Sequence, residues 1–243
     1  MTELNVRIRQ TLRYSVYCTI LDRDDDYIPD DNTDYKRKTY WDARFSAEPS
    51  YDWLGTFGDV KAGYESTGID FSLPSKRVLV VGCGNSTFSK DLSLQCPSWE
   101  LVSIDFSSIV IQNMKRKHPE LTWIEEDMTR LSNFGDNSFD LVLDKAAMDA
   151  LVADEGSSWD PSETSKQSVD DMVSSCARVL KSEGIFSIVS FQPIHFRRRH
   201  LERAMQNCTL KGENYRWREE LKIQNCENAE LGTEFAVFTL IKA

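Results

Sequence analysis

From Lys76 onward the chain repeats one pattern, a short β-branched apolar segment followed by a stretch of helical spacing, and this alternation limits the fold more than any other feature. Arg77 to Val81 reads as a buried parallel strand, and Ser86 to Gln95 as the helix that follows it. "ELVSID" is a second strand ending at Asp105, after which Ser107 or Ser108 caps a helix that turns Ile109, Val110, Ile111 and Met114 toward the sheet and closes at Pro119. "LTWIEED" is a third strand ending at Asp127, and Phe139 to Leu143 is a fourth. A polar loop through "GSSWDPSETSK" leads to a helix from Gln167 to Leu180, and "GIFSIVSF" is the fifth strand. Strands that alternate with helices form a parallel sheet whose crossovers cover both faces.

The end of the chain breaks this rhythm. "YRWREELKI" places Tyr215, Trp217, Leu221 and Ile223 on one face, and "TEFAVFTLIKA" is apolar nearly throughout, with a short loop from Asn225 to Gly232 between them. So short a connection holds no crossover helix, so the last pair is predicted to be antiparallel. The fold class that results is α/β, doubly wound, with a mostly parallel seven-stranded sheet and a C-terminal antiparallel strand pair.

At 243 residues the chain suits one large domain. The first twenty residues carry three arginines but also alternate apolar and polar positions, which favours an edge strand or a loosely ordered extension over a targeting signal. The acidic run "LDRDDDYIPDDNTDY" reads as a solvated linker. The folded domain is therefore expected over 36–243, with 1–35 as an N-terminal extension.

With 40% apolar residues and no apolar stretch near the ~20 residues a bilayer requires, no membrane span is expected. The net charge of −10 opposes a broad grip on nucleic acid and would steer a basic partner inward. Six scattered cysteines form no C-x-x-C pair, and three histidines complete no zinc spacing, so reduced thiols and no structural metal are expected.

"VLVVGCGNST" ends the first strand in Gly82 and Gly84, where a doubly wound sheet presents backbone N–H groups to a ligand. A dinucleotide fingerprint needs a third glycine where this chain has Thr87, so no pyrophosphate cradle is indicated. Asp105 stands 23 residues after Gly82, placed to accept from both hydroxyls of a ribose. Asp127, ending the third strand, can accept from an adenine amine while Phe106 and Met128 pack on the base. A ligand with ribose and adenine but no pyrophosphate fits S-adenosyl-L-methionine.

At this point the chain resembles the class I S-adenosylmethionine-dependent methyltransferases, from Tyr40 to the C-terminus. "YWDARF", "YDWLGTF", "VLVVGCGNS", "VSIDFSSIVI", "FDLVLDKAAMDAL" and "HFRRRH" are similar to the methyltransferase-like group that contains elongation factor 1-alpha lysine methyltransferase 4. That group more often has Glu-Lys-Gly where this chain has Asp144, Lys145 and Ala146. The resemblance implies a Rossmann-like methyltransferase fold. It also implies that Trp41, Phe45 and Trp53 line the cofactor pocket from the N-terminal side, with Gly82, Asp105, Phe106, Asp127, Met128 and Lys145 contacting it from the sheet. The residues agree in kind, because a segment preceding the first strand can fold over the sheet edge as a lid whose aromatics exclude water and face the sulfonium.

Methyl transfer needs geometry more than a dedicated nucleophile, and a lysine acceptor must arrive neutral. Asp144 and Asp149 are read either as guides for the incoming amine or as structural acids. Lys145 is read as a contact to the methionine moiety, through its ammonium or its carbonyl, or as a salt bridge to Asp105 or Asp144. His195 is either a weak base at the functional edge or a structural histidine, and Arg197, Arg198 and Arg199 form a solvated helix face. The loop 156–166, with Trp159 at its centre, is a mobile rim or a tolerated insertion. Together these readings predict a monomeric, cytoplasmic protein-lysine methyltransferase acting on elongation factor 1-alpha, without direct nucleic-acid or membrane contact. The alternatives are a small-molecule methyltransferase and a non-catalytic interaction module.

Overall fold

The computed structural model describes residues 29, 31–153, 156–210, 212–228 and 232–243. The predicted N-terminal edge strand and Cys18 lie outside them. A 3-10 turn, Asn32–Lys36, straddles the expected boundary at residue 35 and buries Tyr35 against the domain.

Seven strands make the main sheet: β1 (Arg77–Val81), β2 (Glu100–Asp105), β3 (Thr122–Glu125), β4 (Phe139–Lys145), β5 (Leu180–Ser190), β6 (Lys222–Asn228) and β7 (Thr233–Ile241). Their order is β6-β7-β5-β4-β1-β2-β3, with β7 antiparallel to both of its neighbours and β1 to β5 paired in parallel. The order reverses between β1 and β4, and a ligand crevice opens beyond the carboxyl ends of the strands at such a switch point. Helices α1 (Lys38–Ala47) and α2 (Phe57–Ser66) precede the sheet; α3 (Phe88–Gln95), α4 (Ser108–Lys117), α5 (Ala147–Leu151), α6 (Glu163–Val179) and α7 (Ile194–Gln206) connect its strands.

The sheet separates two apolar cores because successive side chains of a strand point to opposite faces. Leu79 and Val81 of β1 pack with Met172 and Val173 of α6 and Leu201 of α7, whereas Val78 and Val80 pack with Val60 and Tyr64 of α2 and Val110 and Met114 of α4. Ser107 caps α4 through Val110 N–H, and the helix ends at Lys117, as the apolar spacing before Pro119 implies.

β5 starts at Leu180, four residues before the expected Gly184, and four further differences from the sequence reading each have a local reason. The helix after the glycines starts at Phe88, because the Ser86 hydroxyl and the Thr87 N–H and hydroxyl bind Asp52. β3 stops at Glu125, so Asp127 lies two residues past it, in a turn made by its own side chain. The loop 156–166 is partly structured: Gly156–Ser157 pairs with Asp160–Pro161, and Ser162 caps α6, which starts at Glu163, four residues before the expected Gln167. The sixth strand lies at Lys222–Asn228, not at 215–223. It is an edge strand with few buried residues, so apolar alternation does not mark it, while Trp217 pairs with Lys242 in an isolated bridge.

Candidate functional site

The carboxyl ends of β1, β2 and β4 open onto one cavity, with the turn after β3 beside them. All ten residues singled out from the sequence line it: Trp41, Phe45, Trp53, Gly82, Gly84, Asp105, Phe106, Asp127, Met128 and Lys145. Gly82 is required twice over. Its φ of 57° is left-handed, and a Cβ there would stand 2.3 Å from the Cβ of Ala147 at the start of α5. Gly84, at φ 50°, brings its N–H onto Asp105 Oδ2 at 3.0 Å, while Ser107 N–H donates to Oδ1 at 2.9 Å.

Asp105 is 5% exposed, and burial pushes its carboxyl up to about 6 against the pull of the two N–H donors; Asp42 nearby adds to the rise and Lys38 opposes it. Each of its oxygens takes one backbone donor and keeps further acceptor capacity. Asp127 is more open. Its Oδ1 accepts from Thr129 N–H (2.8 Å) and hydroxyl (2.7 Å), and Oδ2 lies 3.6 Å from Arg130.

The wall facing the sheet comes from the segment between Asn32 and Trp53. Trp41 donates to the Tyr35 carbonyl at 2.7 Å and stacks on Phe45, whose ring lies 3.5 Å from where a Cβ on Gly84 would stand. Trp53 packs edge-on against Tyr35 and Tyr51. The aromatics already enclose a cation of the chain's own. The Arg44 guanidinium sits 5.0–5.7 Å from the Trp41, Tyr51 and Trp53 rings and is paired with Glu48 at 2.8 Å.

Asp52 latches this lid to the sheet. It accepts from Ser86, Thr87 and Lys145, whose ammonium also reaches the Trp53 carbonyl at 2.7 Å. The partner of Lys145 is thus Asp52, neither Asp105 nor Asp144; burial pushes its ammonium down and Asp52 opposes the shift. Asn85 adds a second tie, donating to the Glu48 carbonyl at 2.9 Å and accepting from Tyr51 N–H at 3.2 Å. Asp52, Asn85 and Arg44 carry no role in the sequence reading, although they stand inside the quoted "YDWLGTF", "VLVVGCGNS" and "YWDARF" stretches.

Neither acid of "DKAAMD" presents a free carboxylate. Asp144 is fully buried and caps α5 through the Ala147 and Met148 N–H groups; burial, with Asp149 nearby, pushes it up to about 7. Asp149, which lines the cavity, pairs with Arg197 and accepts from Ser190 Oγ (2.6 Å) and Phe191 N–H (3.2 Å). Arg197 is 1% exposed, which corrects the expectation of a solvated arginine face; the internal acid opposite it drew the residue inward. His195 is exposed and packs on Phe196 and on Trp159, outside the cavity lining. Ala146 has φ 66° and starts α5 from a left-handed conformation.

A family described as a methyltransferase domain matches residues 79–188. EEF1A lysine methyltransferase 4 of Mus musculus is 32% identical over 195 residues, spanning 77% of this chain and 74% of that protein. The chain belongs to that methyltransferase family. The eEF1A lysine and N-terminal methyltransferase of Bos taurus is also 32% identical over 69% of this chain, which spans only 23% of that longer protein. Among solved structures, a SAM-dependent methyltransferase of Methanosarcina mazei superposes with a TM-score of 0.51 at 16% identity, over 71% of this chain and 94% of that one; it shares the fold. The protein is an S-adenosylmethionine-dependent methyltransferase, and its cavity suits that cofactor: two glycines clear the floor, and a buried carboxylate with spare acceptor capacity stands at the end of β2.

Proposed function

We propose that this protein is a protein-lysine N-methyltransferase of the cytoplasm that acts, as a monomer, on elongation factor 1-alpha. The observation that carries the reading is the 32% identity, over most of both chains, to an enzyme whose name states that substrate. The acidic charge of the chain suits a basic acceptor protein.

S-adenosylmethionine, when bound, supplies an electrophilic methyl group on a sulfonium. On this reading Asp105 accepts from the ribose hydroxyls, Asp127 from the adenine amine, and Phe106 and Met128 pack on the base. Gly82 and Gly84 let the backbone approach, and Trp41, Phe45 and Trp53 exclude water. Lys145 holds the lid with its ammonium, which leaves its carbonyl for the methionine moiety. The chain's remaining task is positioning: it would hold the acceptor amine, its proton lost to water and its lone pair free, in line with the methyl group that the cofactor would supply.

The test is transfer of labelled methyl from S-adenosylmethionine to purified elongation factor 1-alpha, with a small-molecule extract in parallel and peptide mapping of the product. Label on a lysine of the factor is expected. Label confined to the extract would replace the reading with a small-molecule methyltransferase, and cofactor binding without any transfer would replace it with a non-catalytic module.

A further inference from the structure

Adenine at the turn after β3 and ribose at β2 would run the cofactor across the sheet toward β1 and β4. The cavity lining that remains, from α5 and the end of β5, is then the acceptor end. It consists largely of Ala147, Ala150, Leu151, Phe191 and Gln192, with Asp149 among them. A bare carboxylate there would stabilise an incoming ammonium and hold it protonated, in the form that has no lone pair for attack.

The structure removes that charge. Arg197 reaches from α7 to Asp149, and both side chains are almost wholly buried, at 1% and 2% exposure. Arg197 Nε also donates to Ser190 Oγ at 3.2 Å; this hydroxyl accepts in turn from Gln192 N–H at 3.2 Å, while Asp149 Oδ2 accepts from Phe191 N–H. One network therefore neutralises the acid and fixes the backbone of the two rim residues after β5. Arg197 Nη1 is buried with no hydrogen-bond partner among the described residues. A buried pair with an orphaned donor is a poor choice for stability alone, since packed apolar side chains usually serve as well or better.

We infer that Arg197 is a positioning residue for the transfer step, keeping the acceptor end uncharged so that a neutral primary amine is the bound form, and orienting Phe191 and Gln192 around it. The inference rests on the lysine-methyltransferase reading. Among the described residues, Asp144 of β4 also acts on Asp149; its oxygens are held by Ala147 and Met148 N–H, and the Cys176 thiol of α6 lies toward it.

The experiment is steady-state methylation of purified elongation factor 1-alpha across pH, with cofactor affinity measured separately. Arg197→Gln is expected to bind S-adenosylmethionine within threefold of wild type. Its kcat should fall at neutral pH, and the pH of half-maximal kcat should rise by about one unit. Arg197→Gln combined with Asp149→Asn, which restores neutrality, should bring that midpoint back, a rescue that a purely structural role would not give. Gln192→Ala, on the rim, should raise the acceptor KM or lower kcat about tenfold with cofactor affinity unchanged, and it decides the matter if Arg197→Gln does not fold. A wild-type midpoint in a folded Arg197→Gln enzyme, or wild-type kinetics in Gln192→Ala, would overturn the inference alone. No lysine label with the wild-type enzyme would overturn the functional reading and this inference with it.

Discussion

With the ribose on Asp105, as proposed, cofactor binding depends on pH in a direction set by the burial of this carboxyl. The group is pushed up to about 6 in the folded protein, mainly by desolvation, against about 3.9 for an unfolded aspartate. The sign follows from linkage. A carboxyl raised on folding contributes stability below its unfolded value and loses it as pH rises through about 6. Ribose hydroxyls donating to Asp105 favour the ionised form, so affinity should rise through the same window while the ligand-free protein loses stability. At pH 5 only about one molecule in eleven carries the ionised form, and at pH 7.5 nearly all do, which makes Kd about tenfold weaker at the lower pH. Isothermal titration with S-adenosylhomocysteine at the two pH values measures this. Asp105→Asn provides the control, because it cannot titrate: its Kd should be weaker at pH 7.5 by about 1–3 kcal/mol, and nearly independent of pH. A wild-type Kd equal within twofold at the two pH values, in protein shown to be folded at both, would refute the reasoning.

Asp52→Ala strands the buried Lys145 ammonium and frees the lid from Ser86 and Thr87, so stability should fall by about 2–4 kcal/mol and cofactor affinity at least tenfold, read by thermal melting and titration. Gly82→Ala meets Ala147 at 2.3 Å in a left-handed conformation and should cost about 2–4 kcal/mol while abolishing cofactor binding, in the same two assays. Ala146→Gly relieves a left-handed alanine and should stabilise the domain by up to about 1 kcal/mol in urea unfolding, after the extra freedom of glycine in the unfolded chain is set against it.

The seven strands, the antiparallel end and the places of Gly82, Gly84, Asp105 and Asp127 were legible because they rest on local signals: apolar runs, a glycine pair, and acids at or just past strand ends; Trp41, Phe45, Trp53 and Lys145 came from the family resemblance. What was not legible depends on partners distant in sequence. Arg197 looks solvated beside two exposed arginines, and only the fold brings it onto Asp149, 48 residues earlier. Lys145 had candidate acids on its own sheet, but its partner Asp52 comes from the lid, 93 residues away. Arg44 gives no sign in the sequence that three aromatic rings will close around it. β6 escaped for the opposite reason, since an edge strand with polar residues in water carries no apolar period at all.

The central claim is that the cavity under the aromatic lid holds the cofactor with its ribose on Asp105 and its sulfur directed toward α5 and Gln192. A crystal structure with S-adenosylhomocysteine tests this most directly. Both ribose hydroxyls are expected within hydrogen-bonding distance of the Asp105 carboxylate, the adenine beside Asp127 and Met128, and the sulfur facing Ala147 and Gln192. A ligand bound in the reverse orientation, or outside this cavity, would contradict it.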